Sequence, residues 1–142
     1  TIRDAGLHVY RDRYDAIHET ENELVIFLSH QWTANKHPDP DGTQYEVMCA
    51  AVRKLIPELF PRASTSESET NGLLSKMLIW VDFVSIPQNQ PESQQLAIRS
   101  LLAYCSCASA FVCVAPDCEH AESGVTCDVS SYRARMWCRA EQ

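Results

Sequence analysis

Three short apolar runs, each followed by an amphipathic or polar stretch, constrain this chain more than any other feature. Leu24 to Ser29, Met77 to Phe83 and Ala110 to Val114 have strand length and are rich in β-branched and aromatic residues. Leu24 to Ser29 is apolar on consecutive positions, so both faces of that strand must be covered, as in a parallel sheet flanked by helices. Helical patterns separate the runs. Val47, Met48, Ala51, Val52, Leu55, Ile56 and Leu59 form one stripe, and Leu96, Ala97, Leu101 and Tyr104 give a second helix its inner face. Leu7, Tyr10, Tyr14 and Ile17 mark a further amphipathic helix ahead of the first strand. The alternation predicts an α/β fold, a flavodoxin-like three-layer sandwich on a parallel sheet with the 24–29 strand between the other two.

Punctuation residues refine the boundaries. Asn35 to Gly42 reads as a loop, and Thr43-Gln-Tyr-Glu46 matches a capping box at the start of the first crossover helix. Pro57 should kink that helix or end it early, whereas Pro91 suits the first position of a new one. Residues 63–72, rich in Ser, Thr and Glu, read as a flexible surface insertion in a single domain spanning 1–142. Asp117 to Ser130 reads as a polar loop leading to a last helix, Ser131 to Gln142, on which Trp137 and Glu141 lie one turn apart.

Composition excludes several function classes. A net charge of −7 argues against nonspecific nucleic-acid binding, which needs a basic footprint. No apolar run is long enough for a membrane-spanning helix. Seven cysteines, an odd number without a disulfide-scaffold rhythm, fit a reducing cytoplasmic setting. Of these, Cys49, Cys105 and Cys113 fall in apolar segments, where a thiol behaves as a small hydrophobe. Cys118, His120 and Cys127 cluster in one loop but include no paired C-x-x-C, so no metal site is expected. The four glycines form no phosphate-binding loop.

In a doubly wound sheet the ligand sits where the strand C-termini converge. The polar groups delivered there are Ser29, His30, Gln31, Asp82, Ser85 and Gln88, with Trp32 as a stacking surface. Arg133, Arg135 and Arg139 form a local positive cluster around Glu141.

Phe27-Leu-Ser-His30, Ile79-Trp-Val-Asp82 with its loop to Gln88, Ala97-Ile-Arg-Ser100, Ala110 to Val114, and Trp137-Cys138 with Glu141 together resemble the Toll/interleukin receptor (TIR)-like domains. The Ser-His-x-Trp and Asp-x-x-Ser-Ile-Pro-Gln details are nearest to the heterokaryon-incompatibility-like and protist branch. The resemblance implies a cytoplasmic signalling domain, of the kind used in innate immunity, that binds NAD or a related nucleotide and hydrolyses the nicotinamide–ribose bond. It also implies that the chain is a C-terminally incomplete fragment of a longer protein. By that match Glu141 is the catalytic carboxylate, Trp137 walls the pocket, and Ser29, His30, Trp32, Asp82, Ser85 and Gln88 bind substrate. NAD is then the substrate, no separate cofactor or metal is needed, and homo-oligomerisation accompanies activity. Two alternatives stand beside it, a noncatalytic homotypic assembly module and a nucleoside ribosyl- or deoxyribosyltransferase-like enzyme.

Overall fold

A computed structural model describes residues 24–61 and 66–135 of the chain. The expected N-terminal helix, Trp137 and Glu141 lie outside the described residues. In chain order the elements are β1 (Leu24–His30), α1 (Thr43–Leu59), α2 (Glu67–Leu74), β2 (Met77–Trp80), α3 (Asp82–Ser85), α4 (Pro91–Arg99), α5 (Leu101–Cys107), β3 (Ala110–Val114), β4 (Cys118–Glu119), β5 (Thr126–Cys127) and α6 (Val129–Ala134). The first three strands form a parallel sheet in the order β2-β1-β3, so the 24–29 run is central as its two-faced apolarity requires. Helices occupy both crossovers, which makes the chain mixed α/β and compatible with a flavodoxin-like order. Contacts group the chain into two compact units, one joining the start of β1 to Lys76–Phe111, the other joining Leu28–Ser75 to the segment from Val112 onward.

In the first unit the core is organised by aromatic rings across the strands. Phe27 lies opposite Trp80 in the ladder and is fully buried. Its ring stacks on Trp80 at 4.2 Å between centroids and on Phe111 at 5.2 Å, with interplanar angles of 11° and 12°. Tyr104 extends the row with a tilted contact to Trp80 at 5.8 Å. Ser109 binds Val25 twice, accepting from its amide at 3.1 Å through Oγ and donating to its carbonyl at 2.7 Å.

Two expectations are corrected in this unit. The second strand ends at Trp80, not Phe83, because the Asp82 carboxylate accepts the Phe83 amide and the Ser85 hydroxyl accepts the Val81 amide at 3.2 Å, turning the chain into α3. The helix after Pro91, which does begin at that proline, divides at Ser100, whose amide is shared between the carbonyls of Leu96 and Ala97. Its buried line is Ala97 and Leu101, while Leu96 is 64% exposed and Tyr104 37%. Successive helical residues are rotated by roughly 100°, so Leu96 falls off a face centred on Ala97.

In the second unit, α1 buries Gln44, Met48, Val52 and Ile56, a strict i, i+4 row, and leaves Val47 exposed. Its N-terminus does not use the expected capping box. Thr43 is already helical and follows Gly42, which sits at φ 79° where a side chain would be strained. The orphan amides go instead to two loop aspartates. Asp39 accepts from Gln44 at 3.0 Å and Tyr45 at 2.8 Å, and Asp41 accepts from Thr43 at 3.1 Å. That last bond holds the Asp41 carboxyl below its ordinary pKa. Pro57 is accommodated within α1, which ends two residues later at Leu59.

The stretch read as a flexible insertion is helical from Glu67 to Leu74. Ser66 caps it by accepting the Glu69 amide at 3.4 Å, two glutamates occupy the first turn, and none of its residues is buried. The 117–130 loop contains an antiparallel hairpin pairing Cys118 with Cys127 and Glu119 with Thr126. The helix expected from Ser131 starts earlier, at Val129, and closes at Ala134, where Arg135 is extended at φ −73°, ψ 127°; the rest of that expected helix lies outside the described residues. Cys49 and Cys113 are exposed rather than packed, Cys105 is half-buried, and among the described residues Cys127 is the buried thiol. Among the described residues no helix is long and apolar enough to cross a membrane.

Candidate functional site

The end of β1 brings polar side chains into the interior of the second unit. Ser29, His30, Gln31 and Thr33 are all buried, in the segment where the strand's apolar run stops. Burying so many polar groups is costly unless they are bonded, and α6 with its preceding turn supplies much of the bonding. Ser29 Oγ lies 2.6 Å from the Tyr132 hydroxyl, 103 residues away in sequence, with both side chains almost fully buried. Gln31 Nε2 donates to the Asp128 carbonyl at 3.3 Å, and Ser131 Oγ donates to Gln31 Oε1 at 3.1 Å.

The capping box at α6 fixes this arrangement. Asp128 accepts the Ser131 amide at 2.7 Å while Ser131 Oγ accepts the Asp128 amide at 2.7 Å. The Ser131 amide is the main reason that the Asp128 carboxyl is held below its ordinary pKa. One hydroxyl therefore serves both the helix cap and the Gln31 amide. Thr33 turns the chain away by bonding the Pro38 carbonyl through its amide at 2.9 Å and its hydroxyl at 3.0 Å.

An open groove of about 430 Å³ at this polar strand end is lined by Gln31, Asn35 and Ser131 and by residues of the β4–β5 hairpin. The hairpin is tied to the segment after β1 by Ala121 donating its amide to the Thr33 carbonyl at 2.8 Å, and by Glu122 Oε2 accepting the Asn35 amide at 3.1 Å. His120 Nδ1 approaches the same Glu122 oxygen at 3.5 Å, close enough for an ion pair when the imidazole is protonated but without hydrogen-bond alignment. Arg135 places a fixed positive charge on the groove wall and donates to the Trp32 carbonyl at 3.4 Å. Among the described residues the groove wall carries amide and hydroxyl groups, the Arg135 guanidinium, the His120 imidazole and the Glu122 carboxylate. That is a set suited to a polar ligand bearing an anionic group.

The sequence-derived site residues separate into three groups. Ser29, His30 and Trp32 belong to the unit that contains the groove. Ser29 and His30 are buried beneath the strand end, and Trp32 is half-buried. Asp82, Ser85 and Gln88 belong to the other unit and brace the turn after β2. Gln88 Nε2 donates to the carbonyls of Phe83 and Ile86 at 3.3 and 2.9 Å, and its oxygen accepts from Gln94 at 3.3 Å. Trp137 and Glu141 lie outside the described residues. His120 stood out in the sequence only as part of a cluster with Cys118 and Cys127, and Glu122 not at all, because a polar stretch with two-residue strands carries no periodicity to place them on a hairpin. Tyr132 had no local signal either, since its importance rests on a partner more than a hundred positions away. No protein-family model matches the chain, and neither does any curated protein or solved structure.

Proposed function

We propose that this chain is a TIR-like nucleotide-binding domain that holds NAD or a related nucleotide at the carboxyl end of β1 and hydrolyses the nicotinamide–ribose bond. The observation that carries the reading is the groove at that strand end, backed by the buried Ser29-His30-Gln31 segment and walled by Arg135. Ligands of open α/β sheets bind outside the strand C-termini, and the groove volume falls within the roughly 300–1,000 Å³ common for small-molecule sites. Arg135 would meet a phosphate, and the exposed Asn35 side-chain amide would meet ribose or base edges. Departure of nicotinamide leaves a cationic ribosyl centre that a carboxylate stabilises, the role the sequence resemblance assigns to Glu141 beside Trp137. Because the chemistry is nucleophilic displacement by water, it calls for no separate cofactor.

Incubating the chain with NAD and following nicotinamide release tests this directly, with Arg135→Ala as the binding control. Release that is weakened by Arg135→Ala supports the proposal. NAD binding without release favours a nucleotide-regulated assembly module. The absence of both binding and release refutes the nucleotide reading.

A second reading, homotypic assembly, is favoured by one observation in the first unit. Leu96 and Leu102, on the neighbouring helices α4 and α5, are 64% and 62% exposed. Sedimentation of the wild type against a Leu96→Glu, Leu102→Glu variant separates an assembling domain from a monomeric one.

A further inference from the structure

We propose that Cys118 and Cys127 form a reversible intrachain disulfide by exchange with a low-molecular-weight disulfide, and that this bond pins the β4–β5 hairpin. The two residues are directly opposed in the antiparallel ladder, and the next pairs along it are Glu119 with Thr126 and then His120 donating to Val125 at 2.9 Å. Residues directly opposed in such a ladder project from the same face. Alternate pairs are hydrogen-bonded, so the Cys118–Cys127 pair matches His120–Val125 and has a Cα separation of about 5.5 Å. That lies inside the range of about 4.4–6.8 Å that a disulfide spans. The β-carbons of such a hydrogen-bonded pair stand at the wide end of about 4.5–5.5 Å and must close by roughly 1 Å, which makes the bond easily reduced. Both thiols are free. Burial first, and then the charges of Cys127, Asp41 and Asp39, push the Cys118 thiol above its ordinary pKa, so only a small fraction is thiolate at neutral pH and the exchange is slow. Among the described residues no other cysteine pair is opposed across a ladder.

The two thiols differ in access, and that sets the order of events. Cys127 is 5% exposed with its sulfur 3.8 Å from the Val125 carbonyl, whereas Cys118 is half-buried and reachable. The Cys118 thiolate attacks one sulfur of the small disulfide, forming a mixed disulfide and releasing one thiolate. Cys127, losing its proton to solvent, then attacks the Cys118 sulfur and expels the second small thiolate. Two protein thiols and one small disulfide thus become one protein disulfide and two small thiols. The bond closes a loop that contains His120 and Glu122, so it holds the hairpin wall of the groove in its paired form.

The test is to incubate the reduced chain with glutathione disulfide, block remaining thiols by alkylation, and map the peptides by mass spectrometry. The expected product is a cross-linked species joining the Cys118 and Cys127 peptides, two hydrogens lighter than the sum of the reduced peptides. It should be reversed by dithiothreitol and absent from Cys118→Ser. Proteolysis between 120 and 125 should be several-fold slower in the oxidised form. Recovery of Cys118 and Cys127 in alkylated form, as glutathione adducts only, or linked to other cysteines would overturn the proposal. The map of the wild-type chain decides this whether or not the serine variant folds.

Discussion

Replacing Phe27 with Ala should cost more stability than any other single truncation in the first unit. Phe27 is fully buried, and its ring is stacked on Trp80 and Phe111. Burying such a side chain is worth about 1.5–3 kcal/mol. Each stacked pair adds about 0.5–1.5 kcal/mol, and the cavity left between two rings adds to the loss. Measured Phe→Ala changes in cores run about 3–5 kcal/mol, and contacts on two neighbouring strands put Phe27 in the upper half, at about 4–5 kcal/mol. With a urea m-value near 2 kcal/mol/M, the midpoint should fall by about 2 M. The same change at half-buried Phe111 should cost roughly half as much. In a double-mutant cycle, Phe27→Leu and Trp80→Leu should couple by about 1 kcal/mol. If Phe27→Ala proves no costlier than Phe111→Ala, or if the cycle closes with no coupling, the aromatic row is not what holds β1 between its neighbours.

Three further predictions address the caps and the proposed chemistry. Asp39→Ala removes the acceptor of two α1 amides, and should destabilise the chain by about 1–2 kcal/mol with loss of helical ellipticity; an unchanged urea midpoint would show that water caps the helix equally well. Asp128 and Asp41 both have depressed pKa values in the folded chain, each chiefly through a backbone amide. Their contribution is therefore complete above the unfolded value near 3.9 and is lost as pH falls through the lower folded value. Asp128→Asn should flatten the stability profile in that acid window alone, and an identical profile in the variant would contradict the assignment. In an active protein Glu141→Gln should lower nicotinamide release by about a hundredfold or more, because size is kept and charge is lost; an unaltered rate would exclude this carboxylate.

Much of the frame was legible from composition along the chain, and the reason is local. A strand with apolar residues on both faces has few places to go other than the middle of a covered sheet, so Leu24 to Ser29 announced its central position. Ala110 to Val114 and the start at Pro91 were readable for the same kind of reason, a run length and a fixed φ. Where prediction failed, a nearby polar side chain had redirected the backbone. Asp82 and Ser85 ended β2 early, and Asp39 and Asp41 took the capping role expected of Thr43 and Glu46. A local pattern shows that a cap is needed, but several residues within reach can provide it, and only the loop's path selects among them.

The candidate site divides along the same line. The sequence by itself determined that polar residues follow the apolar run of β1, and hence that Ser29, His30 and Gln31 stand at a strand terminus. Tertiary structure decided what they meet. It joined Ser29 to Tyr132 and Gln31 to Ser131, and brought a hairpin bearing His120 and Glu122 to the same groove. Hydrophobic periodicity is written into consecutive residues and survives in the sequence. A hydrogen bond between positions a hundred residues apart depends on the fold that brings them together, and no pattern within either segment records it.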